Sequence, residues 1–194
     1  MIIRRMNFSR THYFSGRLLS ADDFLAEQNY HRDKQRFRNL HVHGYGVISG
    51  LSVSVRTPGS NISLSPGMAI DAIGREICVL TPVEFTLPNT NSRWQVSVHY
   101  VEAEARPMPS ISADTGEAGA TQSSRIEEGV EVVVTPIGTT GKSGRRPIAL
   151  ATETGTPGVP LAVLHRKGSR WIVIALPTRS RSTGTRKKPK PYVK

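Results

Sequence analysis

From Gly46 onward the apolar residues return at every second position, in runs too short for helices and broken by Pro, Gly, Asn and Ser clusters. "GVISGLSVSV", "NISLSPGMAIDAIGREICVL", "VEFTL", "RWQVSVHYVEAEA", "GVEVVVTPI" and "VPLAVLHRKGSRWIVIAL" all carry that alternation. A period of two places successive side chains on opposite faces of a pleated strand, so most of the chain is confined to sheets. Roughly seven or eight strands after a single helix predict a mainly β fold, a β-sandwich or open barrel-like domain. "DAIGRE" predicts a tight hairpin around Gly74, and "HRKGSRW" another around Gly168.

One segment departs from this period. "SADDFLAEQNYHRDKQRFRNLHVHG" predicts a helix from about residue 21 to 40. Ser20 and Asp23 have the spacing of a capping box, and Asp22 and Asp23 suit the positive end of the helix dipole. Gly44 stops the helix, since a residue without Cβ enters the left-handed region cheaply. Its apolar stripe is thin: Ala26, Tyr30, Phe37 and Leu40 share one face, Asp33 interrupts it, and charged and amide side chains are expected over the rest. Such a helix lies across a sheet or bridges to a neighbouring subunit.

The chain thus divides into an N-terminal arm and helix (1–45), a β domain (46–178) and a basic C-terminal tail (179–194). At 194 residues, one well-packed domain with peripheral segments is the natural size. The formal net charge is +11, and the tail alone holds seven Lys or Arg and no acid, which leaves +4 for everything else. Such a tail buries no apolar surface and needs a partner to order it. Irregular loops are expected over 106–124 and 138–158, both rich in Pro, Gly, Ser and Ala. No apolar run approaches a bilayer span, and "MIIRRMN" lacks the apolar core of a secretory signal, so a soluble chain made in the cytoplasm is expected.

Motifs for chemistry fail on context. Gly44, Gly46 and Gly50 spell G-x-G-x-x-x-G with a helix before and a strand after, the reverse of a dinucleotide fingerprint. They are assigned to backbone geometry at the helix-to-strand corner. His41 and His43 form a His-x-His pair without further ligands nearby. "VVVTPIGTTGKSG" has Pro136 where a phosphate loop needs its first glycine, and no amphipathic helix follows. The carboxylate pairs Asp22/Asp23, Glu102/Glu104 and Glu127/Glu128 have bland readings: capping, alternation along a strand, and a strand opening beside Arg125. Cys78, the only cysteine, reads as a small core residue. Catalytic, metal and cofactor sites are therefore not expected.

The blocks "YFSGRLLSADDFLAEQNYHRDKQRFRNLHVHGYGVISGLSV", "LSPGMAIDAIGREI", "VHYVEAEARPMP", "SRIEEGVEVVV" and "VPLAVLHRKGSRWIV" span Tyr13 to Val173. Together they resemble a family of proteins encoded with contractile phage-like tails and bacterial contractile injection systems. The resemblance implies a non-enzymatic structural component of a baseplate or tail appendage, assembled after cytoplasmic synthesis into a phage tail or phage-tail-like particle. Its partners would be other tail, baseplate or injection-particle subunits. The candidate subunit contacts are Glu27, Gln28, Arg32 and Arg36 on the helix, and Arg186, Lys187, Lys188 and Lys190 in the tail. The alternative is a nucleic-acid-binding module in which the tail and the 138–146 loop grip phosphates. Against it, Trp94, Trp171 and the tyrosines do not interleave with the Lys/Arg cluster, so no stacking platform is visible.

Overall fold

The computed structural model describes residues 8–56, 61–87, 93–109, 121–137, 158–168, 170–176 and the backbone of 179–180. Helix α1 (Ala21–Arg38) is followed by one π-helical turn, Asn39–His43, and by eleven strands. These are β1 (Tyr45–Gly50), β2 (Val53–Arg56), β3 (Asn61–Leu64), β4 (Gly67–Ile70), β5 (Glu76–Val79), β6 (Val83–Thr86), β7 (Arg93–Pro109), β8 (Thr121–Ile137), β9 (Val159–Lys167), β10 (Arg170–Ala175) and β11 (Arg179–Ser180). All pairings are antiparallel and form three sheets, ordered β11-β1-β4-β5, β2-β3-β6 and β10-β9-β7-β8.

The first two sheets face the third, giving a sandwich. Val47, Ala69, Ile77 and Val79 from one side meet Val98, Tyr100, Val159 and Leu161 from the other. Beside them Ile62 and Leu87 meet Val96 and Leu164, with Trp94 and Trp171 packed against the cluster. Each fully buried aliphatic side chain contributes about 1.5–3 kcal/mol, so this seam holds the sheets together. The architecture is the mainly β, sandwich-like one that the alternation predicts, with one leading helix and no closed barrel among the described residues. The hairpins around Gly74 and Gly168 are present, with φ of 91° and 63° at the two glycines.

Three expectations are corrected. The stretch 106–124 is not all loop: β7 and β8 continue as a two-stranded ribbon through Pro107↔Ser123 to Pro109↔Thr121. Ladder hydrogen bonds need no apolar side chains, and past Val98 strand β7 has lost β9 as a partner, so Pro107 and Pro109 lie where only one neighbour demands donors. Glu127 and Glu128 consequently sit within β8 and do not open it. Cys78 is exposed, because Ile77 and Val79 take the inward positions of β5 and leave it the outer face. The 138–157 part of the second expected loop lies outside the described residues.

Candidate subunit interface

The helix begins as its sequence dictates. The Ser20 hydroxyl accepts from the Asp23 amide and the Asp23 carboxylate accepts from the Ser20 amide, a complete capping box. Arg17 pairs with Asp23, and the Thr11 hydroxyl donates to the Asp23 carbonyl at 3.0 Å, which lays the N-terminal arm along the helix. The Asp23 carboxyl is held below its ordinary value of 3.8, chiefly by the Ser20 amide, then by the Ser20 hydroxyl and the Arg17 charge. Farther along, Phe8 meets Phe37 edge to face, with ring centroids 5.6 Å apart. The arm thus runs antiparallel to α1 over the face of Ala26, Tyr30 and Phe37.

Among the described residues the opposite face is hydrogen-bonded to the β domain at its C-terminal end. The buried Asn39 donates through Nδ2 to the Gly74 carbonyl and to Glu76 Oε1, each at 3.0 Å. Gln35 Nε2 donates to the same Glu76 oxygen at 2.9 Å. A Cβ on Gly74 would run into the Arg36 carbonyl, so the close approach of hairpin and helix requires glycine there. Behind the hairpin, fully buried Asp71 accepts from the amides of Ile73 and Arg75 and from Arg75 Nε at 2.6 Å. The Arg75 guanidinium then lies 4.6 Å from the centre of the Tyr100 ring. Burial, followed by hydrogen bonds to Glu102 and Glu128, pushes the Tyr100 phenol well above its ordinary range.

Leu25, Gln28, Arg32, Gln35 and Asn39 recur at alternating three- and four-residue steps and so form one straight stripe. Gln35 and Asn39 are hydrogen-bonded to the hairpin and Arg32 borders a cleft with Tyr100 and Glu128, while Leu25 and Gln28 have no such hold. No residue of α1 is buried, and Phe24 and Leu25 are 55% and 54% exposed. Leu18, at 92%, and Leu19 extend the apolar surface before the cap. The helix therefore overhangs its joint and offers apolar side chains near its free end. Charged and amide groups do not cover everything outside the thin stripe, since Phe24 and Leu25 lie off it.

Among the candidate contact residues, Gln28 is exposed on the overhang beside Phe24 and Leu25. Arg32 is also exposed and donates to Asn29 Oδ1 at 2.7 Å. Glu27 is half-buried and bonded to His31 at 3.0 Å, and Arg36 is half-buried at the joint and 3.8 Å from Asp33. Arg186, Lys187, Lys188 and Lys190 lie outside the described residues; the backbone of Arg179–Ser180 pairs with Gly46 and Tyr45. At that corner Gly44, Gly46 and Gly50 have φ of 76°, 118° and 60°. A Cβ on Gly50 would collide with the Pro66 carbonyl where β1 bulges against β4.

Among the described residues no three His, Cys, Asp or Glu side chains gather in a way that could hold a metal ion, and no helix is long and apolar enough to cross a membrane. His41 stacks on Phe37 with centroids 3.9 Å apart, and its Nδ1 lies 2.7 Å from the Phe37 carbonyl oxygen. The joint of Asn39, Gly74 and Glu76, and the exposed Phe24 and Leu25, were not singled out by the sequence. Two adjacent large apolar residues off the expected stripe were the available signal.

No protein-family model and no curated protein matches the chain. Chains in three solved structures are similar to it. One is in the baseplate complex from the type VI secretion system, with TM-score 0.48, 12% identity and coverage of 87% of this chain and 58% of that one. Another is in the crystal structure of TssK, with TM-score 0.47, 10% identity and coverage of 86% and 42%. A third is in the type VI TssK-TssF-TssG baseplate subcomplex, with TM-score 0.49, 10% identity and coverage of 86% and 60%. The chain spans less than two thirds of each of these neighbours. Likeness at this level carries no argument about its activity.

Proposed function

We propose that the chain is a non-enzymatic structural component of a contractile phage tail or bacterial contractile injection system, baseplate or tail-associated, acting through contacts with other subunits. The observation that carries this reading is the overhanging helix. An 18-residue helix with no buried residue, with Phe24 and Leu25 turned to solvent and Leu18 and Leu19 exposed just before it, buries little apolar surface in its own chain. Helices of this kind are stabilised mainly by packing an amphipathic face, so the free end makes energetic sense against another polypeptide. The resemblance of the sequence from Tyr13 to Val173 supports the kind of assembly. The exposed polar and charged residues that flank the overhang, Gln28 and Arg32, would form the rim of the contact.

The experiment is site-specific photo-crosslinking in cells that build the particle, with the reactive residue at Leu25 or, as a control, at Lys167. The expected result is a discrete adduct with a tail or baseplate subunit from Leu25 only. Equal or no capture from the two positions contradicts the reading. Capture of nucleic acid, lost on deletion of residues 181–194, would support the nucleic-acid alternative instead.

A further inference from the structure

Two exposed surfaces of this chain complement one another. The first is a groove of about 500 Å³ along the C-terminal half of α1. Its floor is apolar, formed by Phe37 and Val42 with the His41 ring stacked on Phe37. Lys34 and Arg38, one helical turn apart, make its rim cationic, the Lys34 ammonium lying 5.4 Å from the centre of the Phe8 ring; His31 and Gln35 complete the lining, and no carboxylate does.

The second surface is on the β7–β8 ribbon. Ile126 is 63% exposed and lies directly across the ladder from Glu104, while Glu102 faces Glu128 on the next rung of the same face. Like charges directly opposite each other weaken a sheet. Tyr100 donates to Glu102 at 2.8 Å and Ser123 to Glu104 at 3.0 Å, but among the described residues none of these three glutamates is in an ion pair. Glu128 borders a cleft with Arg32 and Arg36 of its own helix, so Glu102 and Glu104 are the carboxylates that frame Ile126 on the open side. An apolar side chain framed by carboxylates is the counterpart of an apolar slot framed by Lys and Arg.

The two surfaces do not meet within one molecule. Helix α1 turns Arg32 and Arg36 toward its own ribbon, where they share a cleft with Tyr100 and Glu128, and Gln35 stands between that cleft and the groove. Lys34, Phe37, Arg38 and His41 lie about half a turn away around the helix, at about 100° per residue. A ribbon can reach the groove only from another molecule.

We propose that the β7–β8 ribbon of one copy seats in the helix groove of a second copy, with Ile126 against Phe37 and Val42, and Glu102 and Glu104 beside Lys34 and Arg38. The contact is head-to-tail, so repetition gives a closed ring or an open chain. The inference stands apart from the particle reading, since it concerns the chain with itself and uses a different face of the helix.

Sedimentation velocity of the full chain tests it. The wild type is expected to associate with rising concentration, more weakly as salt is raised. Lys34→Glu with Arg38→Glu, and separately Glu102→Lys with Glu104→Lys, each weaken association by at least about tenfold, and so does Ile126→Asp. Mixing the two charge-reversed proteins restores association, because an acidic groove then meets a basic ribbon. All the substituted side chains are exposed, and circular dichroism verifies that each variant keeps the wild-type fold. A wild type that stays monomeric at every concentration and salt overturns the proposal, as does association that both reversals leave intact or that mixing does not restore.

Discussion

The Asn39 side-chain amide donates to the Gly74 carbonyl at 3.0 Å, joining the residue that closes α1 to the turn of the β4–β5 hairpin. With Gln35 and Glu76 it forms the hydrogen-bonded joint between helix and sandwich. The helix direction, and so the position of its free end, is set there.

Asn39→Ala removes two hydrogen bonds from this buried position and leaves the Gly74 carbonyl without its side-chain donor. The expected loss is about 1–3 kcal/mol, read by chemical denaturation. Gly74→Ala is expected to cost more, because the new Cβ meets the Arg36 carbonyl and the backbone sits at a φ of 91°.

The capping box predicts a pH dependence at the helix start. The Asp23 carboxyl lies below 3.8 when folded, so the unfolded chain takes up the proton more readily. Its stabilisation is fully present above the unfolded value and is lost as pH falls through the lower, folded one. Helicity followed by circular dichroism should drop across that acid range in the wild type. Asp23→Asn, already less helical at neutral pH, should lack that component.

Cys78 is exposed, yet burial of the sulfur and the charges of Glu76 and Glu128 push its thiol upward. The thiolate is the nucleophile, so Cys78 should react completely but more slowly than free cysteine with a disulfide reagent at pH 8. Glu128→Gln should speed the reaction.

Gly50→Ala tests the corner. With φ at 60° and the Pro66 carbonyl in the way of a Cβ, the substitution is expected to destabilise by more than about 1 kcal/mol in denaturant unfolding. Gly168→Ala has open space around its Cβ and bears only the backbone strain of its φ of 63°, so it should cost less.

The helix start was legible because its signal is local: Ser20 and Asp23 need only each other. The turns at Gly74 and Gly168 were legible for the same reason. The ribbon was not, since Pro107, Met108 and Pro109 lack the alternation that a buried strand imposes, and their pairing is backbone chemistry that composition does not encode. Cys78 was misplaced because "EICVL" does not say which of its alternate positions faces inward. At the candidate interface Gln28 is exposed, Arg32 is exposed but bonded to Asn29 and beside the Tyr100 cleft, and Glu27 and Arg36 are half-buried, in contact with His31 and at the hairpin joint. Phe24 and Leu25 escaped because the apolar stripe was traced through Ala26, Tyr30 and Phe37, the face along which the arm lies.

The central claim is that this molecule works as a fitted part of a larger particle. The most direct measurement is quantitative mass spectrometry of contractile particles purified from producing cells, comparing wild type with Phe24→Asp/Leu25→Asp. The account predicts a fixed ratio of wild-type chain to the other particle subunits and its depletion in the variant, with the soluble variant still folded. Particles that contain none of the wild-type chain, or that take up the variant equally well, would contradict it.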